Sequence, residues 1–194
     1  MKKMLVVALA SSLLSAVVAV ASPVPQNNQQ MSAANPKSTE RIYKEVRHEL
    51  VMLPFYGVFD NLAYKVDPDG TVTLLGQVSR PTLKSDAENS VKHIEGVERV
   101  VNNIEVLPTS MNDDNIRRAA YRAIYGNDVL SQYQMRAVPP IHIIVNNGKI
   151  TLEGAVSRDM DKQIAGVQAN GVHGAFSVTN NLIVDDSGKN DNKK

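Results

Sequence analysis

The chain reads as two small α+β domains in tandem, an α/β layering in which each copy is a two-layer sandwich of α-β-β-α-β order. Three observations lead there. Gly70–Val106 written above Gly148–Val184 aligns at a constant offset of 78 over all 37 positions without a gap, and 14 are identical. A fixed-period match of this kind means two copies of one folding unit. Within each copy, helical apolar spacing and strand-like alternation follow in the same order. Asp69-Gly70 and Asn147-Gly148 fall at the same place in the two copies, and both are dipeptides that suit tight hairpin turns.

The elements follow in turn. Ile42, Val46, Leu50 and Leu53 recur at i, i+4, i+8 and i+11, the spacing of one helix face. Ser38 or Thr39 can cap that helix and Pro54 stops it. Leu62–Val66, the turn Asp67-Pro68-Asp69-Gly70 and Thr71–Val78 make a hairpin in which Val72, Leu74, Gly76 and Val78 share one face. A second helix is predicted from Thr82 to Ile94, with Leu83, Ala87, Val91 and Ile94 inward, and Gly96 after it. Glu98–Val106 then alternates as a third strand. The glycines Gly70, Gly76 and Gly96 recur as Gly148, Gly154 and Gly174, and are read as structural backbone positions where the chain bends or crowds a neighbour. The domains are placed at 38–107 and 112–184, with a linker short enough to favour contact between them. Copy two departs in places: Asp161 stands where copy one has Leu83, Gly166 lies inside the second helix and Ala175 replaces Val97. These changes predict a looser second helix there.

The ends are different material. Residues 1–21 open with Lys2 and Lys3, run apolar from Met4 apart from Ser11, Ser12 and Ser15, and finish Ala19-Val20-Ala21. This is the pattern of a signal peptide cleaved after Ala21, directing export. A retained anchor is the other reading, since a span needs about 20 apolar residues; the serines and the Ala-Val-Ala site favour cleavage. Residues 22–37, rich in Pro, Asn and Gln, read as a flexible leader, and 185–194 as a disordered tail, because neither has enough apolar surface to offset ordering entropy.

Composition narrows the function. There is no Cys among the 194 residues, which excludes disulfides, Cys-ligated metals, a thiol nucleophile and a lipid-modified N-terminal Cys. The formal net charge is +1, and loss of Lys2 and Lys3 leaves 19 basic against 20 acidic residues; a nucleic-acid partner is not expected from a near-neutral chain. No phosphate loop, nucleophile elbow or His-Glu-x-x-His stands in the sequence, so no catalytic residue, metal or cofactor is assigned. Of the four His, His142 in an apolar run and His173 beside Gly174 read as structural, while His48 with Glu45 or Glu49 reads as charged surface rather than a metal site. Asp67 and Asp69 resemble a calcium-loop fragment but are explained by the turn.

Val72-Thr73-Leu74-Leu75-Gly76-Gln77-Val78-Ser79 and Gly96-Val97-Glu98-Arg99-Val100-Val101-Asn102-Asn103-Ile104, repeated as Ile150–Ser157 and Gly174–Val184, resemble the BON domain. Two such domains behind an export signal are similar to the family of osmotically inducible periplasmic proteins. The resemblance implies a non-enzymatic periplasmic protein that associates with phospholipid surfaces and supports envelope integrity under osmotic or other stress. Without a Cys for lipidation, its membrane contact is expected to be reversible.

The first helix of copy two carries the candidate site. Arg117, Arg118 and Arg122 have no acid after Asp114, whereas copy one mixes signs with Glu40–Lys44 and Arg41–Glu45 pairs. At about 100° per residue, Arg117, Arg118, Tyr121, Arg122 and Tyr125 share one arc, opposite Ile116, Ala119, Ala120, Ala123 and Ile124. Guanidinium groups pair two-pronged with phosphate and Tyr suits a headgroup boundary, so these five are expected to meet an anionic phospholipid membrane. The plain alternative is a solvated helix whose tyrosines pack on the neighbouring domain. A second function class, a chaperone-like module for envelope protein clients, would use sheet edges, the interdomain groove, or apolar surface from Tyr43, Phe55, Tyr56 and Phe59; the other reading of Phe55 to Phe59 is core or interdomain packing.

Overall fold

The computed structural model describes residues 36–185; the expected signal peptide, nearly all of the leader and the tail beyond Asp185 lie outside the described residues. Copy one runs α1 (Pro36–Val51), β1 (Asn61–Val66), β2 (Thr71–Val78), α2 (Pro81–Val91), β3 (Arg99–Asn102) and β4 (Glu105–Val106). Copy two runs α3 (Met111–Tyr125), a 3-10 turn (Ser131–Met135), β5 (Ile141–Asn146), β6 (Lys149–Val156), α4 (Asp159–Asn170), β7 (Ser177–Asn180) and β8 (Ile183–Val184). Helix α1 starts two residues inside the expected leader, and α2 ends at Val91 rather than Ile94.

In each copy the middle strand pairs antiparallel with the strand before it and parallel with the one after the second helix. Burial follows the periods in the sequence. Ile42, Val46, Leu50 and Leu53 of the α1 region meet Val72, Leu74 and Val78 of β2 and Leu83, Ala87 and Val91 of α2 in one core. Ile116, Ala120 and Ile124 of α3 meet Ile150, Leu152, Val156, Ala165 and Ala169 in the other.

The two hairpins differ in a way their sequences explain. In copy two Asn147 (φ 50) and Gly148 (φ 75) both take left-handed conformations, as a two-residue turn between Asn146 and Lys149 demands. Pro68 cannot adopt positive φ, so copy one uses Pro68-Asp69-Gly70 with only Gly70 left-handed (φ 80) and Asp67 N–H donating to Thr71 O. The copies are therefore offset by 79 rather than 78 ahead of the turn: Tyr64 faces Leu74 where Ile143 faces Leu152.

The continuous third strand expected over 98–106 is two short strands. Asn102 causes the break. Its Oδ1 accepts from Ile104 N–H (3.2 Å) and its Nδ2 donates to Lys84 O (2.9 Å), tying α2 to the sheet edge. Asn180 repeats both bonds, to Leu182 N–H (3.2 Å) and Lys162 O (2.7 Å). A side chain that bonds the backbone locally competes with the ladder, and the kink turns Ile104 and Leu182 into the cores.

The looser helix expected in copy two is not found. Helix α4 runs 12 residues against 11 for α2. Asp161, at the place of Leu83, is fully buried and satisfied: it accepts from Tyr133 Oη (2.6 Å) and from the Arg158 guanidinium (2.9 and 3.1 Å). Tyr133 Oη accepts in turn from Ser157 N–H (2.9 Å). In copy one the carboxylate of Asp60 takes that role, accepting from Ser79 N–H and Oγ–H (2.7 and 2.8 Å). Gly166 is a point of close approach, since a Cβ there would stand 2.9 Å from Asn180 Nδ2.

The copies dock. The segment Tyr56–Asp60, which follows α1, crosses onto β5: Ile143 N–H donates to Val58 O (2.7 Å), Tyr56 stacks on His142 (5.6 Å, 25°), and Val58 and Phe59 pack on the core of copy two. Leu107, the last residue of copy one, is buried, its N–H donating to Val78 O (2.8 Å).

Candidate functional site

Helix α3 is built to start and stop where it does. Ser110 Oγ accepts from Asp113 N–H (3.2 Å), Asp113 and Asp114 occupy the first turn and Arg122 the last, each favourable to the helix dipole. The carboxylate of Asp113, 1% exposed, also accepts from Asn147 and Gly148 N–H (2.9 and 2.8 Å), so the helix start holds the β5–β6 turn.

Two of the five residues expected on an outward arc point inward. Arg117 is 6% exposed; its guanidinium pairs with Asp114 and donates to Val145 O (2.7 Å). Tyr125 is 2% exposed and donates to Ile141 O (2.6 Å), and burial raises its hydroxyl pKa. The reason is the partner strand. β5 is the outer strand of its sheet, and an outer strand leaves backbone groups to be satisfied. Tyr125 covers Ile141 O, Val58 O takes Ile143 N–H, and Arg117 covers Val145 O. The inner face of α3 is accordingly Asp113, Ile116, Arg117, Ala120, Ile124 and Tyr125, turned from the arc that apolar residues alone would define.

Arg118, Tyr121 and Arg122 remain. Arg118 and Arg122 are exposed one turn apart, and Tyr121 is half-buried between them. Arg118 donates to Asn115 Oδ1 (2.6 Å), Gln134 Nε2 donates to Tyr121 Oη (2.8 Å), and Tyr121 meets Phe59 edge to face (6.2 Å, 66°) and Tyr125 at a tilt (5.0 Å, 43°). With Val58 and Phe59 of copy one, these three line a shallow pocket of about 360 Å³. Its floor is apolar and its rim carries two guanidinium groups. Phe59 and Val58 join the site through the docking of one copy on the other, the interdomain packing that was one reading of Phe55 to Phe59; sequence did not link them to α3.

The six glycines read as structural, Gly70, Gly76, Gly96, Gly148, Gly154 and Gly174, all have positive φ, between 75° and 111°. At Gly76 and Gly154 a Cβ would collide with the carbonyls of Asn61 and Pro140. His173 is exposed, and His142 is 8% exposed within β5. His48, Glu45 and Glu49 line an open cleft with His93 and Glu95, and among the described residues no three such side chains are placed to hold a metal ion. Asp67 pairs with Lys65 (2.6 Å) and Asp69 accepts from Thr71 N–H (3.0 Å), both within the turn. Of the aromatic group read as possible client surface, Tyr56 and Phe59 pack on copy two, Tyr43 lies against Tyr64 (4.7 Å), and Phe55 is 71% exposed beneath Arg80 (4.9 Å).

Compared with known protein families, the chain matches the BON domain twice, over residues 39–108 and 112–186. The chain belongs to the BON-domain family. BON domains are non-catalytic binding modules linked to phospholipid membranes and envelope stress. No curated protein matches this BON-domain chain. Among solved structures, it is similar to CdsD, a structural protein of the type III secretion system of Chlamydia trachomatis, at 13% identity and a TM-score of 0.28, covering 78% of this chain and 96% of that one. The C-terminal domain of the same protein matches at 12% identity and a TM-score of 0.28, covering 73% and 96%. Likeness at that level bears on neither fold nor function.

Proposed function

We propose that this BON-domain protein is exported to the periplasm, associates reversibly with anionic phospholipid surfaces through the pocket at the seam of its two copies, and supports envelope integrity under osmotic or other stress. The observation that carries the reading is Arg118 and Arg122 flanking an apolar floor of Val58, Phe59 and Tyr121. A phosphate can sit between the two guanidinium groups while the aromatic floor meets the interfacial region of the lipid. Each basic residue near an anionic bilayer contributes about 1 kcal/mol, so two give a weak attraction that suits transient contact. The client-protein reading has less to work with, since the outer edge of β5 is already covered by Val58, Arg117 and Tyr125.

Co-sedimentation with phosphatidylglycerol-containing vesicles tests the site. The native chain is expected to bind these and not pure phosphatidylcholine vesicles, and the binding should weaken steeply as salt rises. Binding that is equal on neutral vesicles or indifferent to salt overturns the reading. Export is checked separately by cell fractionation, which should recover the chain from the periplasm without residues 1–21.

A further inference from the structure

We infer that His142 is a pH-sensitive latch: charging its ring releases the Tyr56–Asp60 segment from β5 and so dismantles the pocket at the seam. The second half of this statement rests on the pocket being the lipid site; the first half does not.

The geometry gives a charged ring little to hold it. His142 is 8% exposed, its ring stacks on Tyr56 (5.6 Å), and its Nδ1 is buried without a hydrogen-bond partner. Tyr56 is itself largely buried, which pushes its hydroxyl up to about 12. Two carboxylates face the site from the elements packed against it, Asp60 from the segment and Glu153 from β6, where it is the cross-strand neighbour of His142. Both are engaged. Asp60 Oδ1 accepts from Ser79 N–H and Oγ–H and its Oδ2 from Gly57 N–H (3.2 Å); Glu153 Oε1 accepts from Asn181 Nδ2 (2.8 Å). An imidazolium there would be a buried charge held only by the backbone of Asp60 and Gly57 and by carboxylates already bonded elsewhere, and the loss of water outweighs those contacts. Water is the remedy, and the part that can open to admit it is the segment. It has no regular structure of its own and one backbone bond to β5, whereas β5 is paired with β6 along six residues.

Burial holds His142 below its ordinary value of 6.5, against a smaller opposing pull from the backbone of Asp60 and Gly57 and from the two carboxylates. A depressed folded-state value means the docked form prefers the neutral ring. Docking is therefore at full strength above about pH 6.5 and is lost as pH falls through the folded-state value.

The test follows amide hydrogen exchange of the full chain by NMR, corrected for intrinsic rates, at about pH 7.5 and about pH 4.5. Protection of the Ile143 amide should fall about tenfold or more on acidification, while Leu74 and Leu152 in the central strands stay protected. His142→Phe keeps the stack on Tyr56 and cannot charge, so its Ile143 amide should hold at both pH values. Equal protection in the native chain at both, or equal loss in His142→Phe, overturns the proposal. If that variant fails to fold, the native ring resonance decides: its titration midpoint must coincide with the opening of Ile143, and a mismatch is fatal. The lipid arm has an unusual sign. Acid makes the whole chain more positive, so simple attraction predicts tighter binding to phosphatidylglycerol vesicles, and the latch predicts looser binding in the native chain alone. If the segment opens and binding persists, the regulatory half is overturned. Whether the lipid site is itself misassigned is then decided at pH 7.5 by Arg118→Ala with Arg122→Ala.

Discussion

Arg117 and Arg118 are neighbours in sequence and opposites in role. The first spends its guanidinium on Asp114 and Val145 O inside the protein; the second stands at the rim of the pocket. Arg117→Ala is expected to destabilise the fold by about 2 kcal/mol or more, since it strips a buried bond from an outer-strand carbonyl. Arg118→Ala should stay within about 0.5 kcal/mol, and paired urea titrations separate the two. Helical spacing alone placed both on one arc because it ranks residues by polarity, while an Arg with a carboxylate and a backbone carbonyl to bond can be buried. Asp161 teaches the same lesson. As a polar residue in an apolar position it pointed to a loose helix, and what rescues it is Tyr133, 28 residues away. Asp161→Ala leaves the buried Tyr133 hydroxyl without its acceptor, while the exposed Arg158 is solvated, and should cost about 1–3 kcal/mol, read as a lowered urea midpoint at unchanged slope.

Periodicity made the helices, the hairpins and both cores legible, because each is a local pattern that the folded surface repeats. The third strand was not, although the Asn pairs 102/180 and 103/181 stood out in the repeat. Identity marks a position as needed without saying which bond it makes, and alternation looks the same through a kink. Asn102→Ala is expected to loosen α2 from β3 and cost about 1–2 kcal/mol, and Asn180→Ala the same in copy two; exchange at the Ile104 and Leu182 amides reports it. Gly166→Ala separates helix propensity from packing. Ala favours a helix interior by about 1 kcal/mol over Gly, yet a Cβ here stands 2.9 Å from Asn180 Nδ2 and pushes off the side chain that ties α4 to the sheet. Net destabilisation in thermal unfolding is the expected result.

The docking of the copies is where sequence reading had least to offer. A short linker predicted contact and interdomain packing was one reading of Phe55 to Phe59, but the contact itself joins Val58 to Ile143 across 85 positions, and no local signal names that partner. Two of the three residues of the site's apolar floor could not be assigned to it for the same reason: Val58 and Phe59 lie in a loop of one copy and serve a helix of the other. Arg118, Tyr121 and Arg122 were legible as a basic aromatic cluster; which of its five members face outward was not. Docking also has a cost if undone, because β5 would lose the group that covers Ile143 N–H and expose an outer strand. Residues 112–185 alone should therefore self-associate in sedimentation where the full chain does not. The composite pocket can be interrogated by comparing three variants of the full chain on phosphatidylglycerol vesicles at low salt: Arg118→Ala with Arg122→Ala from copy two, Phe59→Ala from copy one, and Arg41→Ala with Lys44→Ala from the self-paired face of α1. Affinity should fall by about 30-fold for the first, from about 2 kcal/mol of lost attraction, fall measurably for the second, and hold for the third; equal losses in the first and third, or none in either of the first two, would contradict the account.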